Sequence, residues 1–148
     1  MTDDDPGASA SAPEPADRFR STRAAHRDET AEDYVEAVAA LIESRGEARV
    51  RDLATMMGVS HVTASRIISR LAGEGLVKTT PYRPITLTAA GRRLARAARR
   101  RHEVVLAFLR SIGVPARQAE IDAEGIEHHV SEATVRAMRR VLDKSGDR

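Results

Sequence analysis

The sequence predicts a mainly α fold, a winged helix-turn-helix followed by an α-helical domain. Three observations carry that reading. A short helical run, a turn at Gly58 and a second helical run after Ser60 stand side by side. Two β-prone segments with a proline-bounded tip follow them. A long helix and two shorter ones then complete the chain. The short ones are too small to form a core alone, so their apolar stripes must pack on the long helix and on a second copy of it.

The elements follow in order. Residues 1–19 are rich in Ala, Ser, Pro, Gly and Asp, a composition that cannot bury enough apolar surface to offset its ordering entropy, and they are expected to be a disordered acidic tail. From about Ser21 to Ser44, Ala31, Tyr34, Val35, Val38, Leu41 and Ile42 follow helical spacing, and Gly46 ends the run. A short helix then leads to Gly58, and Ser60 caps a second helix that puts Ala64, Ile67, Ile68 and Leu71 on one side. Gly75 stops it. Leu76–Thr79 and Ile85–Thr88 read as strands around the tip Pro81-Tyr82-Arg83-Pro84. Thr88 can cap a long helix from Ala89 to about Ser111. Pro115 suits the first turn of the next helix, expected to run to His128 or His129, and Ser131 caps the last. The expected domains are 20–97 and 98–148.

Composition narrows the function. Cysteine is absent, which excludes disulfides, thiolate metal sites and a cysteine nucleophile. Aromatics make up only 3%, so the core must come from Ala, Val, Leu and Ile, and an apolar small-molecule pocket is disfavoured. No apolar run approaches a membrane span and the N-terminus lacks a signal pattern, so a cytoplasmic location and no membrane partner are expected. The formal charge of +2 hides an asymmetry. Residues 1–17 hold five acids and no Lys or Arg, so the rest of the chain carries about +7, which points to a polyanion such as nucleic acid.

A recognition helix in the major groove would offer Ser60, His61, Val62, Ser65, Arg66 and Arg70 toward double-stranded DNA. Arg66 is the strongest donor for a guanine edge, and Val62 suits a thymine methyl. Arg92, Arg93, Arg96, Arg99, Arg100 and Arg101 crowd one helix with few acids placed to pair with them. Phosphate contact by some of these, Arg92 and Arg93 first, and by Arg83 at the wing tip would relieve the repulsion.

Glu124, Glu127 and His128 stand at i, i+3 and i+4, so a helix would project them from one face. Two carboxylates so close repel unless a cation lies between them. Oxygen and nitrogen donors of this kind suit Mn²⁺ or Fe²⁺. Asp33 and Glu36 on the first helix and His102 on the long helix bring the set to six donors from three helices.

The segments Glu32-Asp33-Tyr34-Val35-Glu36, Arg101-His102-Glu103 and Asp122 to Ser131 resemble the manganese transport regulators, the two-domain branch of the diphtheria toxin repressor family. The resemblance spans roughly residues 25 to 143. It implies a homodimeric, manganese-dependent repressor of manganese uptake genes that binds a palindromic operator. It also implies a pair of divalent metals per subunit on Asp33, Glu36, His102, Glu124, Glu127 and His128. Iron-sensing relatives carry a sulfur ligand in place of Glu124 and Met in place of Asp33, so the hard donors here favour Mn²⁺. The acidic tail, Pro84 in the wing and the base-reading residues depart from the family pattern.

An iron-responsive regulator of the same fold, and a winged-helix repressor sensing a small molecule, stand as alternatives. A di-metal oxidase would need paired Glu-x-x-His motifs across a four-helix bundle, which the sequence lacks, and no enzyme activity is expected.

Overall fold

A computed structural model describes residues 15–146 of the chain. Helix α1 (Pro15–Arg45) is followed by α2 (Val50–Met57), α3 (His61–Gly73), strands β1 (Val77–Lys78) and β2 (Thr86–Leu87), α4 (Ala89–Ser111), α5 (Ala116–Ile126), a 3₁₀ turn (Glu127–His129) and α6 (Glu132–Gly146).

The first helix starts earlier than its apolar pattern. Pro15 opens it and no breaker intervenes before Gly46, so residues 15–19, expected to belong to the disordered tail, form its first turn. Periodicity detects only the packed part of a helix. The remainder of the expected tail lies outside the described residues.

The turn between α2 and α3 works through Gly58. It sits at φ 66°, and its N–H reaches the carbonyls of Ala54 and Thr55. That left-handed backbone suits glycine, which has no Cβ to clash. Ser60 Oγ accepts from the Thr63 N–H at 3.1 Å and starts α3. The wing is a short antiparallel pair, with Val77 opposite Leu87 and Lys78 opposite Thr86. A bridge between Ala48 and Ile85 fastens it to the segment before α2. Thr88 Oγ1 accepts from the Gly91 N–H at 3.0 Å and caps α4.

Two apolar clusters result. The larger joins α1 (Val35, Val38, Leu41) to Leu53, Ile68, Leu71, Val77, Ile85 and Ala95. The smaller places Val105 and Leu109 of α4 against Ala119 and Ala123 of α5, with Met138 of α6 alongside. Helix α4 therefore serves both cores and holds them in one frame. Among the described residues no helix is long and apolar enough to cross a membrane.

One expected helix ends early. Alpha-helical geometry stops at Ile126, and Glu127–His129 tighten into a 3₁₀ turn. Pro115 stands immediately before α5 instead of inside its first turn. The tightening changes where Glu127 and His128 point, because a 3₁₀ turn advances more degrees per residue than an α-helix.

Candidate metal centre and nucleic-acid interface

Three elements converge on one acidic site between the two cores. Helix α1 brings Asp33 and Glu36, α4 brings His102, and the α5–3₁₀ junction brings Glu124, Glu127 and His128. The last three differ in exposure, with α-helical geometry giving way to a 3₁₀ turn after Ile126. Glu124 is exposed, whereas the side chains of Glu127 and His128 are buried to 3%.

Glu127 lies between the two imidazoles. Its Oε2 is 2.5 Å from His102 Nδ1 and its Oε1 is 3.5 Å from His128 Nε2. His102 Nδ1 is also 3.7 Å from Glu124 Oε1. His128 Nε2 is 3.2 Å from Asp33 Oδ1. Glu36 shares a cavity with Asp33, Glu124 and Glu127, and the two histidines adjoin it, His102 through Glu127 and His128 through Asp33.

Electrostatics shows the strain of that arrangement. Burial, together with the charges of Glu127, Asp33 and Glu124, pushes the Glu36 carboxyl up to about 7. Burial also raises Asp33, against the pull of His128 and with the push of Glu29 and Glu124. It raises Glu127 in spite of the His102 hydrogen bond. For His128, burial opposes the charged ring, but the Glu32 hydrogen bond and the charges of Asp33, Glu127 and Glu32 outweigh it and the pKa rises. The four carboxylates therefore do not sit together as four free negative charges. Protons or a cation must compensate them. Four carboxylates and two imidazoles are a hard donor set that fits a divalent ion.

Two supporting residues were given no part in the metal site from the sequence. Glu32 is buried, with its Oε2 3.0 Å from His128 Nδ1. Arg101 donates to both Glu32 oxygens at 3.1 and 3.2 Å. Arg101 is thus an internal strap between α4 and α1, which corrects its place among the unpaired arginines. Arg99 lies 3.6 Å from Glu103, and Arg92 donates to the Leu87 carbonyl at 2.9 Å. The signal available for the strap was that Glu32 and Arg101 each adjoin a donor, Asp33 and His102.

A concave surface between α3 and the wing is lined by His61, Ser65 and Ser69 on one side and Thr79 to Arg83 on the other, with Arg49 and Arg51 at its edge. It gathers three of the sequence-derived DNA residues, His61, Ser65 and Arg83. Ser60, Val62 and Arg66 are exposed on the same helix segment, and Arg92 and Arg93 are exposed at the start of α4. Arg70 is half-buried and drawn 3.5 Å from Glu74, with Nε and Nη2 shielded from solvent. Arg49, Arg51 and Tyr82 line the same surface and were not among the candidates taken from the sequence. Tyr82 is 99% exposed at the wing tip with φ 63°, a rare backbone state for a bulky residue.

Both halves of the chain match described families. Residues 28–85 match the iron dependent repressor N-terminal DNA binding domain, and residues 88–146 match the iron dependent repressor metal binding and dimerisation domain. The chain is 47% identical over 128 residues to the transcriptional regulator MntR of Escherichia coli O157:H7, covering 86% of this chain and 83% of that one. It is 37% identical over 100 residues to the HTH-type transcriptional regulator MntR of Bacillus subtilis, covering 68% of this chain and 70% of that one. A manganese-dependent transcriptional repressor solved in complex with manganese superposes with a TM-score of 0.68 at 35% identity, over 76% of this chain and 52% of that one. The manganese regulator SloR gives 0.67 at 27% identity, over 76% and 53%. The chain spans about half the length of those two solved chains. With both halves matched and 47% identity to a relative over 128 aligned residues, the chain belongs to the iron-dependent repressor family of DNA-binding, dimerising transcriptional regulators, beside its MntR members, and is not an enzyme.

Proposed function

We propose that the chain is a manganese-dependent repressor whose DNA-binding form is selected by metal at the site between α1, α4 and α5. The observation that carries this reading is the meeting of Asp33 and Glu36, from the helix that frames the DNA-binding core, with His102, Glu124, Glu127 and His128 from the other core. Asp33, Glu36, His102, Glu124, Glu127 and His128 would hold two Mn²⁺ ions. Two divalent cations supply the charge that four carboxylates need.

Residues 20–97 would form the DNA-binding domain and 98–148 the dimerisation and metal-binding domain. Without metal the carboxylates favour separation of the two halves. With metal one spacing between the recognition helices of a homodimer is favoured. A palindromic operator needs that spacing near one DNA turn, ~34 Å, or a multiple of it. Ser60, His61, Val62, Ser65 and Arg66 would face bases. Arg83, Arg92 and Arg93 would hold phosphates. With such a partner the protein would act in the cytoplasm. Coupling between metal and DNA of ~1–3 kcal/mol is typical and must be reciprocal.

Gel-shift on a manganese-transporter promoter tests the reading, with Mn²⁺, with Fe²⁺ and with chelator. Manganese should tighten binding, and Asp33→Ala or Glu124→Ala should abolish that response. An unchanged response in both variants would sink it. A response to Fe²⁺ and not Mn²⁺ would favour an iron-responsive regulator of the same fold.

A further inference from the structure

The six donors do not form one evenly spaced ring. His102, Glu124 and Glu127 make one compact group, whose ligand atoms all lie within 4.8 Å of one another. Asp33 and His128 lie at the other end of the site. There a residue outside the six completes a second group of the same size, Glu29 with Asp33 and His128. Glu29 precedes Asp33 by four positions on α1, so the two carboxylates stack on one face of the helix.

The state of Glu29 makes it more than a neighbour. Its Oε2 is shielded from solvent and has no hydrogen-bond partner among the described residues. Two further imidazoles flank that oxygen at distances too long for a hydrogen bond, His26 Nδ1 at 3.5 Å and His129 Nε2 at 3.8 Å. A buried carboxylate oxygen without a donor is costly unless a cation faces it. Ligand atoms around one ion at bond lengths of ~2.0–2.2 Å stand roughly 3 Å or more apart, so this spacing admits an ion with little rearrangement.

We propose that Glu29 is a seventh metal donor, closing the coordination of the ion at the Asp33–His128 end while leaving the His102–Glu124–Glu127 end untouched. The inference rests on the metal-dependent reading above and adds a ligand to that site. It makes the two ion positions chemically unequal, one held by donors from α4, α5 and the 3₁₀ turn and the other gripped by two carboxylates of α1 with His128.

Two variants of the full-length chain test it. Glu29→Gln keeps the shape and removes the charge. Calorimetric titration of chelator-stripped protein with Mn²⁺ should show one binding step weakened by about tenfold or more and the other unchanged. Glu29→Cys introduces the sole thiol of a chain that has no cysteine. On loading with Co²⁺ it should give a thiolate-to-cobalt charge-transfer absorption that the unaltered chain lacks. Both results are required. Two unchanged steps in Glu29→Gln, or no such absorption in Glu29→Cys, would overturn the assignment while leaving the six-donor site in place. Failure of the unaltered chain to take up Mn²⁺ would instead remove the reading on which the assignment rests.

Discussion

Oε2 of Glu32 lies 3.0 Å from Nδ1 of His128, across 96 positions of sequence. The carboxylate can only accept, so the ring donates from Nδ1 and its Nε2 is turned toward Asp33. Glu32 in turn accepts from Arg101. One buried chain of charge-assisted hydrogen bonds thus aims a ligand nitrogen and ties α1, α4 and the 3₁₀ turn together. Carboxylates that orient metal-binding histidines in this way raise ligand basicity and fix the tautomer.

Glu32→Gln should therefore weaken manganese binding by ~10-fold or more without touching a ligand. In the metal-free protein it should also bring the His128 pKa down toward the ordinary histidine value. Calorimetry measures the first effect, and an NMR titration of the His128 ring measures the second. A native circular dichroism spectrum confirms that the variant is folded. Unchanged affinity would show that Glu32 merely fills space.

Metal uptake should depend on pH with a definite sign. Glu36 holds its proton up to about pH 7 in the metal-free protein, and Asp33, Glu127 and His128 are also shifted upward. A cation must displace those protons, so affinity should rise as pH rises through 7 and then level off. Titrations in two buffers of different ionisation enthalpy should reveal proton release near pH 6 and less near pH 8. The same shifts predict the stability of the metal-free protein. Its folded state binds protons more tightly than the unfolded chain, so it should lose stability as pH rises from 4.5 through about 7. Added Mn²⁺ should offset that loss. Thermal melts across this range, with and without metal, check both statements.

The DNA-facing residues should divide into two classes. Arg66 is exposed on α3 and is proposed to read a base, so Arg66→Ala should cost ~1–3 kcal/mol and relax preference at one position per half-site. Arg83 on the wing should contact phosphate. Arg83→Ala should weaken all sequences alike and reduce the salt dependence by about one counterion per subunit. Binding assays on operator variants over a salt series separate the two. Equal behaviour of the two variants would mean that neither residue carries its assigned role.

Gly91 is a packing requirement. A Cβ there would stand 2.0 Å from the Leu76 carbonyl oxygen, which is backbone and cannot swing aside. Gly91→Ala should destabilise the protein by ~1–3 kcal/mol, because α4 must lift from the wing. Denaturant unfolding gives the size of the loss. A fully stable variant would show that α4 can move at no cost.

Much of this molecule was legible in one dimension. Helix caps at Ser60 and Thr88, the turn at Gly58 and the apolar stripes of α1 and α3 are local signals, set by spacing and by backbone preference. The six candidate donors could be picked out as well, through the spacing of Glu124, Glu127 and His128 and the resemblance that added Asp33, Glu36 and His102. Local signals could not fix the start of α1, whose first turns lack an apolar stripe. They also could not show where α5 gives way to a 3₁₀ turn.

What the chain alone determined is the order of its elements and the residue types it offers to metal and to DNA. Which side chains meet was decided only by the tertiary packing, since α4 runs through both cores and carries Arg101 and His102 to residues far away in sequence. Glu32, Arg101 and Glu29 look like ordinary surface charges when read in a line. Packing between α1, α4 and the 3₁₀ turn gives Glu32 and Arg101 each other as partners and sets Glu29 beside Asp33 and His128, because a charge removed from water must find a partner.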